Sequence, residues 1–421
     1  VKVLVIGSGG REHALCWKLS QSKKISELYC APGNGGTSLI ATNVNIASND
    51  IDRLLEFAKT NEIDITIVGP EEPLVLGIVD EFEEEGLNIF GPNAFSAKLE
   101  GSKEFAKRFM IENNIPTARY ESHTEYRDAV KALDNFTYPL VIKADGLCLG
   151  KGVVICEDRQ LAEMTLKEIL QDQIFGKEGT RVVMEEFLNG IEASLLCFVS
   201  HNKIFPMESA KDYKQIYEDD KGPNTGGVGC YSPSPLFTPD LDHSIKKNVL
   251  EPIERGLSIG GHDFTGILFI GFMIDNNIPK VLEFNVRLGD PETEVVLPRL
   301  KTDLLDIFLK AIVGNLQEED ILWDERACIT VVLTSGGYPG YYKKGHEISG
   351  LDSLDEEILV FHNGTKRNGE KITTNGGRVL SITCIGQIET SRKKIYDNIK
   401  KINFYDMGYR KDIGILPVLE K

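Results

Sequence analysis

Short apolar runs alternate with amphipathic stretches through residues 1–100. KVLVIG, EHALCWKLS, ELYCAPG, IDRLLEFAK, DITIVGP, GIVDEFEEEG and NIFGP follow one another, separated by loops rich in Gly, Pro and Asn. This rhythm predicts strands alternating with helices, hence a parallel, doubly wound sheet that places ligands at the loops after its strands. A helix is predicted over 96–113, where Phe105 and Phe109 fall four apart on one face. From Tyr120 the texture changes. PLVIKADG, GVVICED, RVVMEEF, ASLLCFVS and KIFPME read as strands around a helix at 159–173, a small α+β unit opening into a larger sheet. The stretch 211–235, with GPNTGG and SPSP, reads as a long irregular loop of the kind that carries function. GILFIGFMID and KVLEFNVR form a hairpin across DNNIP, followed by helices near 292–299 and 303–314. After Trp323 the chain is strand-rich, with a closing helix near 392–402.

Length divides this pattern into several cores. At 421 residues the chain exceeds what one core serves, so an α/β and α+β multidomain protein is expected. The boundaries fall at 1–100, 101–325 (with a subdomain at 120–190) and 326–421. The apolar runs are far shorter than the roughly 18 residues of a membrane span. The start enters a strand without a cleavage-site pattern, so a cytoplasmic protein is expected. A net charge of −17 with no basic face argues against nucleic acid, though not against small phosphorylated substrates. The eight cysteines are scattered without a C-x-x-C, which predicts neither a zinc site nor a disulfide framework.

Four clusters carry candidate chemistry. Gly7-Ser8-Gly9-Gly10-Arg11-Glu12-His13 follows a strand and opens a helix, where amides can face an anion. It is a poor dinucleotide fingerprint: Glu12 stands where the third glycine belongs, and the ribose acid about 20 residues on is missing. Asp145–Gly152 follows the strand VIK. It fails as a P-loop, but a glycine-rich hairpin after Lys143 suits a flap over triphosphate. Met184–Leu188 with Glu192 can offer backbone to adenine and a carboxylate to ribose. In EFNVRLGDPETE, Glu283, Asn285 and Arg287 share a strand face. Two oxygen ligands beside a guanidinium suit Mg²⁺ bridging phosphates next to a transferred phosphoryl group.

Taken in order, VIGSGGREHA, APGNGGT, IVGPEEPLVLGIVD, EGSKEFAK, VIKADGLCLGKGV, EEFLNGIEAS, GPNTGGVGCYSP, EFNVRLGDPETE, SGGYPGYY and TNGGRVL resemble the blocks of the phosphoribosylamine–glycine ligases, a family of the ATP-grasp superfamily. The resemblance runs from Val3 to about Gly414. It implies an N-terminal Rossmann-like domain, an ATP-grasp domain with a lid, and a C-terminal strand-rich domain in a single-activity chain. It also implies ligation of glycine to 5-phosphoribosylamine with ATP and Mg²⁺ or Mn²⁺, in a monomer without nucleic-acid or membrane partners.

Carried over residue by residue, the resemblance puts Lys103 and Lys143 on phosphates under a lid containing Gly146, Gly150 and Gly152. Glu186, Phe187, Leu188 and Glu192 would hold adenosine, and Glu283 and Asn285 the metal. Arg287 would stabilise the acyl phosphate or the glycine carboxylate, and Asp212 would orient an amine. Gly9, Gly10, Asn34, Gly36, Lys214 and Arg378 would face the remaining substrate. Two departures stand out: KDYKQ puts Tyr213 and Gln215 where the family pattern has His and Arg, and the strand GILFIGFMID has only the terminal acid Asp275. Three alternatives remain open at this stage: a related ligase for a different acid, a nicotinamide oxidoreductase, and an inactive binding protein.

Overall fold

A computed structural model of the chain describes residues 1–148 and 152–416. Strands Lys2–Gly7, Glu27–Pro32, Thr42–Asn43, Ile65–Val68 and Ile89–Phe90 form a parallel sheet with Lys2–Gly7 at its centre. Its residues alternate between two cores: Leu4 and Ile6 pack with Leu54 and Phe82, and Val3 and Val5 with Leu15 and Leu19. Strand order reverses between Lys2–Gly7 and Ile65–Val68. The loops after them, carrying Gly9–Gly10 and Glu71, therefore line the crevice where such sheets bind ligands.

The helix predicted over 96–113 is two, Ala94–Gly101 and Lys103–Glu112. Ser102 is extended (φ −138°, ψ 116°), and its Oγ accepts from the Phe105 N–H at 3.1 Å, so it caps the second helix instead of continuing the first. A four-stranded antiparallel sheet follows, ordered Tyr120–His123, Val182–Glu186, Leu140–Ala144, Val153–Cys156, with helices Tyr126–Ala132 and Arg159–Leu170 packed on it.

Among the described residues nine strands make the large sheet. Strands Ile278–Asn285, Gly266–Asp275, Ile191–Ser200 and Lys203–Asp212 lead through Gly229–Ser232 to Ala327–Ser335, Arg378–Gly386 and Ile358–His362, and the ninth, Met407–Gly408, pairs with Ala327–Ser335. One sheet thus crosses residue 326 without a break. The stretch 211–235 is not an irregular loop: it holds the end of Lys203–Asp212, the hairpin Gln215–Tyr217/Lys221–Asn224, and Gly229–Ser232. Its pairing is remote, Asp212 with Cys230 and Gly229 with Val331, so local Gly and Pro content could not reveal it. The closing helix is Ile388–Ile399, a turn earlier than the sequence pattern suggests. No helix among the described residues is long and apolar enough to cross a membrane.

Candidate functional site

Lys143 and Glu185 lie on adjacent antiparallel strands. Val141 is directly opposite Glu185, so Lys143, two residues on, is its diagonal neighbour on the same face. The side chains meet at 2.8 Å. Lys103 opens helix Lys103–Glu112 and donates to the Gly146 carbonyl at 2.8 Å. Asp145 fixes this helix start, accepting from the Glu104 N–H at 2.8 Å and from Ser102 Oγ at 3.1 Å. Two lysines from different elements are thereby brought to one glycine-rich turn. A Cβ at Gly146 would run into the Glu178 carboxylate, and one at Gly152 would come within 2.6 Å of Cys148 Cβ. Gly150 lies outside the described residues.

Glu283, Asn285 and Arg287 alternate with buried Phe284 and Val286, so the three do share a face, although the strand itself ends at Asn285. Arg287 donates to Asn285 Oδ1 at 3.3 Å and pairs with Glu71 at 3.2 Å and Glu100 at 3.0 Å. Burial would raise the Glu283 pKa, but Lys214, Lys143, Lys103 and Arg287 outweigh it and keep Glu283 ionised. One carboxylate ringed by four cations suits a polyphosphate that brings its own counterion. Two protein oxygens, Glu283 and Asn285, fit Mg²⁺, which commonly takes one or two protein ligands and completes its shell with phosphate and water.

Glu192 pairs with Lys214 at 3.1 Å, uniting the expected ribose acid with an expected substrate residue. A cavity of about 510 Å³ opens there, lined by Gly190, Glu192, Asp212, Lys214 and Met273 among others. Asp212 and Glu292 are both buried and both raised in pKa, Asp212 by burial and Glu292 by burial and then by the charge of Asp212. Glu186 starts the connection to Phe187 and Leu188. Its carboxylate accepts from the Arg119 N–H at 3.0 Å and lies 3.6 Å from Lys280.

The first-domain assignments look different in three dimensions. The Gly9 N–H donates to the Glu12 carboxylate at 2.6 Å, and Glu12 is only 1% exposed. An acid in this turn would repel a pyrophosphate, which counts against the nicotinamide reading. A Cβ on Gly10 would collide with Asn363 and Glu294. Asn34 donates to the Ser8 and His362 carbonyls at 2.9 and 2.6 Å, while its Oδ1 accepts from the Gly36 and Thr37 N–H groups. Its side-chain amide thus ties the glycine turn to the C-terminal strands. Gly36 likewise makes room for the His13 and His362 rings. Arg378 clamps two loops, donating to the Gly226 and Asp290 carbonyls at 2.8 Å each and pairing with the Asp290 carboxylate at 2.9 Å.

Tyr213 is buried. It accepts from the Gly414 N–H at 3.2 Å and lies between Lys211 and Arg410, at 4.4 and 4.9 Å from its ring. Arg410 donates to the Gln215 carbonyl at 2.9 Å. The Tyr213 side chain thus packs with the C-terminal segment, whereas Gln215 meets it through its main chain, and both residues line the same cavity as Asp212 and Lys214.

Glu71, Glu100, Lys107, Glu185 and Glu292 were missed as functional candidates. Buried acids at Glu71 and Glu100 could have been sought as partners once a buried Arg287 was expected. Nothing local marks Lys107.

Three successive stretches of the chain match models of one family. Residues 1–100 match the phosphoribosylglycinamide synthetase N domain, 101–293 its ATP-grasp (A) domain and 328–415 its C domain. The chain is 47% identical over 422 residues to a phosphoribosylamine–glycine ligase of Halalkalibacterium halodurans, covering 100% of this chain and 98% of that one. A ligase of the same name from Vibrio cholerae is 46% identical over 419 residues, 98% of each chain. The crystal structure of phosphoribosylamine–glycine ligase from Thermotoga maritima superposes with a TM-score of 0.86 at 35% identity, covering 98% of this chain and 100% of that one. Biotin carboxylase from Campylobacter jejuni, at 14% identity and a TM-score of 0.76 over 98% and 94% of the chains, shares the fold. The chain belongs to the phosphoribosylglycinamide synthetase family, whose ATP-grasp domain it carries.

Proposed function

We propose that this chain joins glycine to 5-phosphoribosylamine at the expense of ATP, giving glycinamide ribonucleotide, ADP and phosphate in purine synthesis. The observation that supports it most is Glu283 ringed by Lys143, Lys103, Lys214 and Arg287, in a chain similar over its full length to ligases of that name. A glycine carboxylate oxygen attacks the γ-phosphorus of ATP, and the bond to the ADP oxygen breaks. The ribosylamine nitrogen then attacks the carbonyl carbon of glycyl phosphate, and phosphate leaves with the former carboxylate oxygen.

Lys143 and Lys103 neutralise the phosphates, and the main chain at Gly146 and Gly152 lies against them. The main chain of Glu186, Phe187 and Leu188 holds adenine, and Glu192 holds ribose after releasing Lys214. Glu283 and Asn285 hold Mg²⁺ or Mn²⁺, which supplies charge neutralisation at the phosphoryl oxygens. Arg287, kept in place by Glu71 and Glu100, stabilises the acyl phosphate. Asp212 orients the amine and accepts its proton, a contribution of about 10²–10⁴-fold for a placed base. Gly9, Gly10 and Arg378 shape the phosphoribosyl wall, with Asn34 and Gly36 holding that wall together.

ADP release by the purified protein, measured with each substrate omitted in turn, tests this reading. Release that requires both glycine and 5-phosphoribosylamine supports it. Release that follows a different acid would replace glycine in the proposal.

A further inference from the structure

Lys107 is 2% exposed, one helical turn beyond Lys103 and on the same helix face. Its Nζ lies 2.8 Å from Glu185 Oε2 and donates to Thr117 Oγ1 at 2.8 Å. Glu185, also 2% exposed, therefore stands between two lysines, with Lys107 on Oε2 and Lys143 on Oε1. The two contacts differ in their surroundings. Lys107 is enclosed and has a second partner in Thr117. Lys143, also buried, makes the same 2.8 Å charge contact with Glu185, but its other contact is a long one, 3.5 Å to the Leu282 carbonyl. A fully buried lysine is costly without a purpose, since an ammonium leaving water needs compensation.

We propose that Lys107 is a positioning residue for nucleotide binding: it holds the charge of Glu185, leaving Lys143 free to turn from the carboxylate to the phosphates of ATP. Without Lys107, Glu185 keeps Lys143 as its sole counterion, and ATP must compete with a buried ion pair. The arrangement also ties three elements together, because Lys107 lies on the helix of Lys103 and Glu185 immediately precedes the adenine connection at Glu186. The inference rests on the assignment of Lys143 to phosphate.

Titration gives it a signature. Burial, acting against Glu185 and aided by the nearby charge of Lys143, lowers the Lys107 pKa to about 8, with Glu186 the other acid facing it. Above that pH Lys107 loses its proton, Lys143 is left as the sole counterion, and ATP binding weakens.

The test is the KM for ATP and kcat of the full-length enzyme, measured from about pH 6.5 to 9, on either side of the Lys107 titration. Lys107→Met should raise the KM for ATP about tenfold or more, the worth of one hydrogen bond to a charged group, with a smaller change in kcat at saturating ATP. Adding Glu185→Gln should bring the KM back toward the wild-type value and remove its rise above pH 8. A purely structural role would leave the double variant as impaired as the single one, and that result overturns the proposal, as does an unchanged KM in Lys107→Met. Should Lys107→Met not fold, Glu185→Gln alone decides: released Lys143 binds ATP at least as tightly, and a raised KM refutes the inference. Lys143→Met separates the two levels of the argument. If it leaves the KM for ATP unchanged, the phosphate assignment itself falls; if it raises the KM while Lys107→Met does not, only the role of Lys107 falls.

Discussion

Replacing Arg287 with Met removes the guanidinium that pairs with both Glu71 and Glu100. The side chains of Arg287, Glu71 and Glu100 are 19%, 23% and 6% exposed, so both acids lose a partner in a largely dry setting. Breaking a buried pair from one side costs about 3–5 kcal/mol. The cost should depend on pH in a definite direction. Burial raises the Glu100 pKa to about 7 even with Arg287 pulling it down. A carboxyl raised in the folded state contributes stability that is complete below its unfolded value near ~4.3 and is lost as pH rises through about 7. Without Arg287 the folded value climbs further, so that loss continues to higher pH. Glu71 behaves oppositely. Despite its burial, its pKa is lowered by Arg287 and then Arg11, so its contribution is present above the unfolded value and changes little around neutrality. The deficit of the variant should therefore widen above neutral pH, by at most ~1.4 kcal/mol per pH unit for the single proton involved. Urea unfolding of wild type and Arg287→Met on either side of neutrality measures it, and Glu100→Gln added to Arg287→Met should recover part of the stability but none of the turnover. A deficit independent of pH, with no recovery in the double variant, would refute this account of the cluster.

Two further comparisons test the site. Glu283→Gln should raise the Mg²⁺ concentration needed for half-maximal turnover and lower turnover while leaving circular dichroism unchanged; wild-type turnover at low Mg²⁺ would remove Glu283 from the metal site. Asp212→Asn should damage turnover far more than Tyr213→His combined with Gln215→Arg, which should change KM modestly and reduce stability by disturbing the Tyr213–Gly414 contact; the reverse ranking in steady-state kinetics would credit the wrong residues.

The sequence was most legible where chemistry and periodicity coincide. Alternating apolar runs identify the parallel sheet, and the x-Phe284-x-Val286-x alternation places Glu283, Asn285 and Arg287 on one face before any contact is known. It was least legible where partners come from afar. Ser102 ends a helix where its own Oγ caps the next one and Asp145, forty-three positions later in the chain, meets that helix start. Gly229–Ser232 becomes a strand because Lys203–Asp212 and Ala327–Ser335 flank it. The bond from Asn34 to the His362 carbonyl could not be read from APGNGGT, because that partner is more than three hundred residues away. Lys107 looks like any helical lysine until Glu185 is placed beside it.

In the proposed reaction a carboxylate oxygen of glycine passes through an acyl phosphate. Glycine labelled with heavy oxygen in its carboxylate, incubated with the enzyme, ATP and 5-phosphoribosylamine, tests it directly by mass spectrometry of the released phosphate. The account predicts that each phosphate carries one labelled oxygen, in step with glycinamide ribonucleotide formed. Unlabelled phosphate released alongside that product would contradict it.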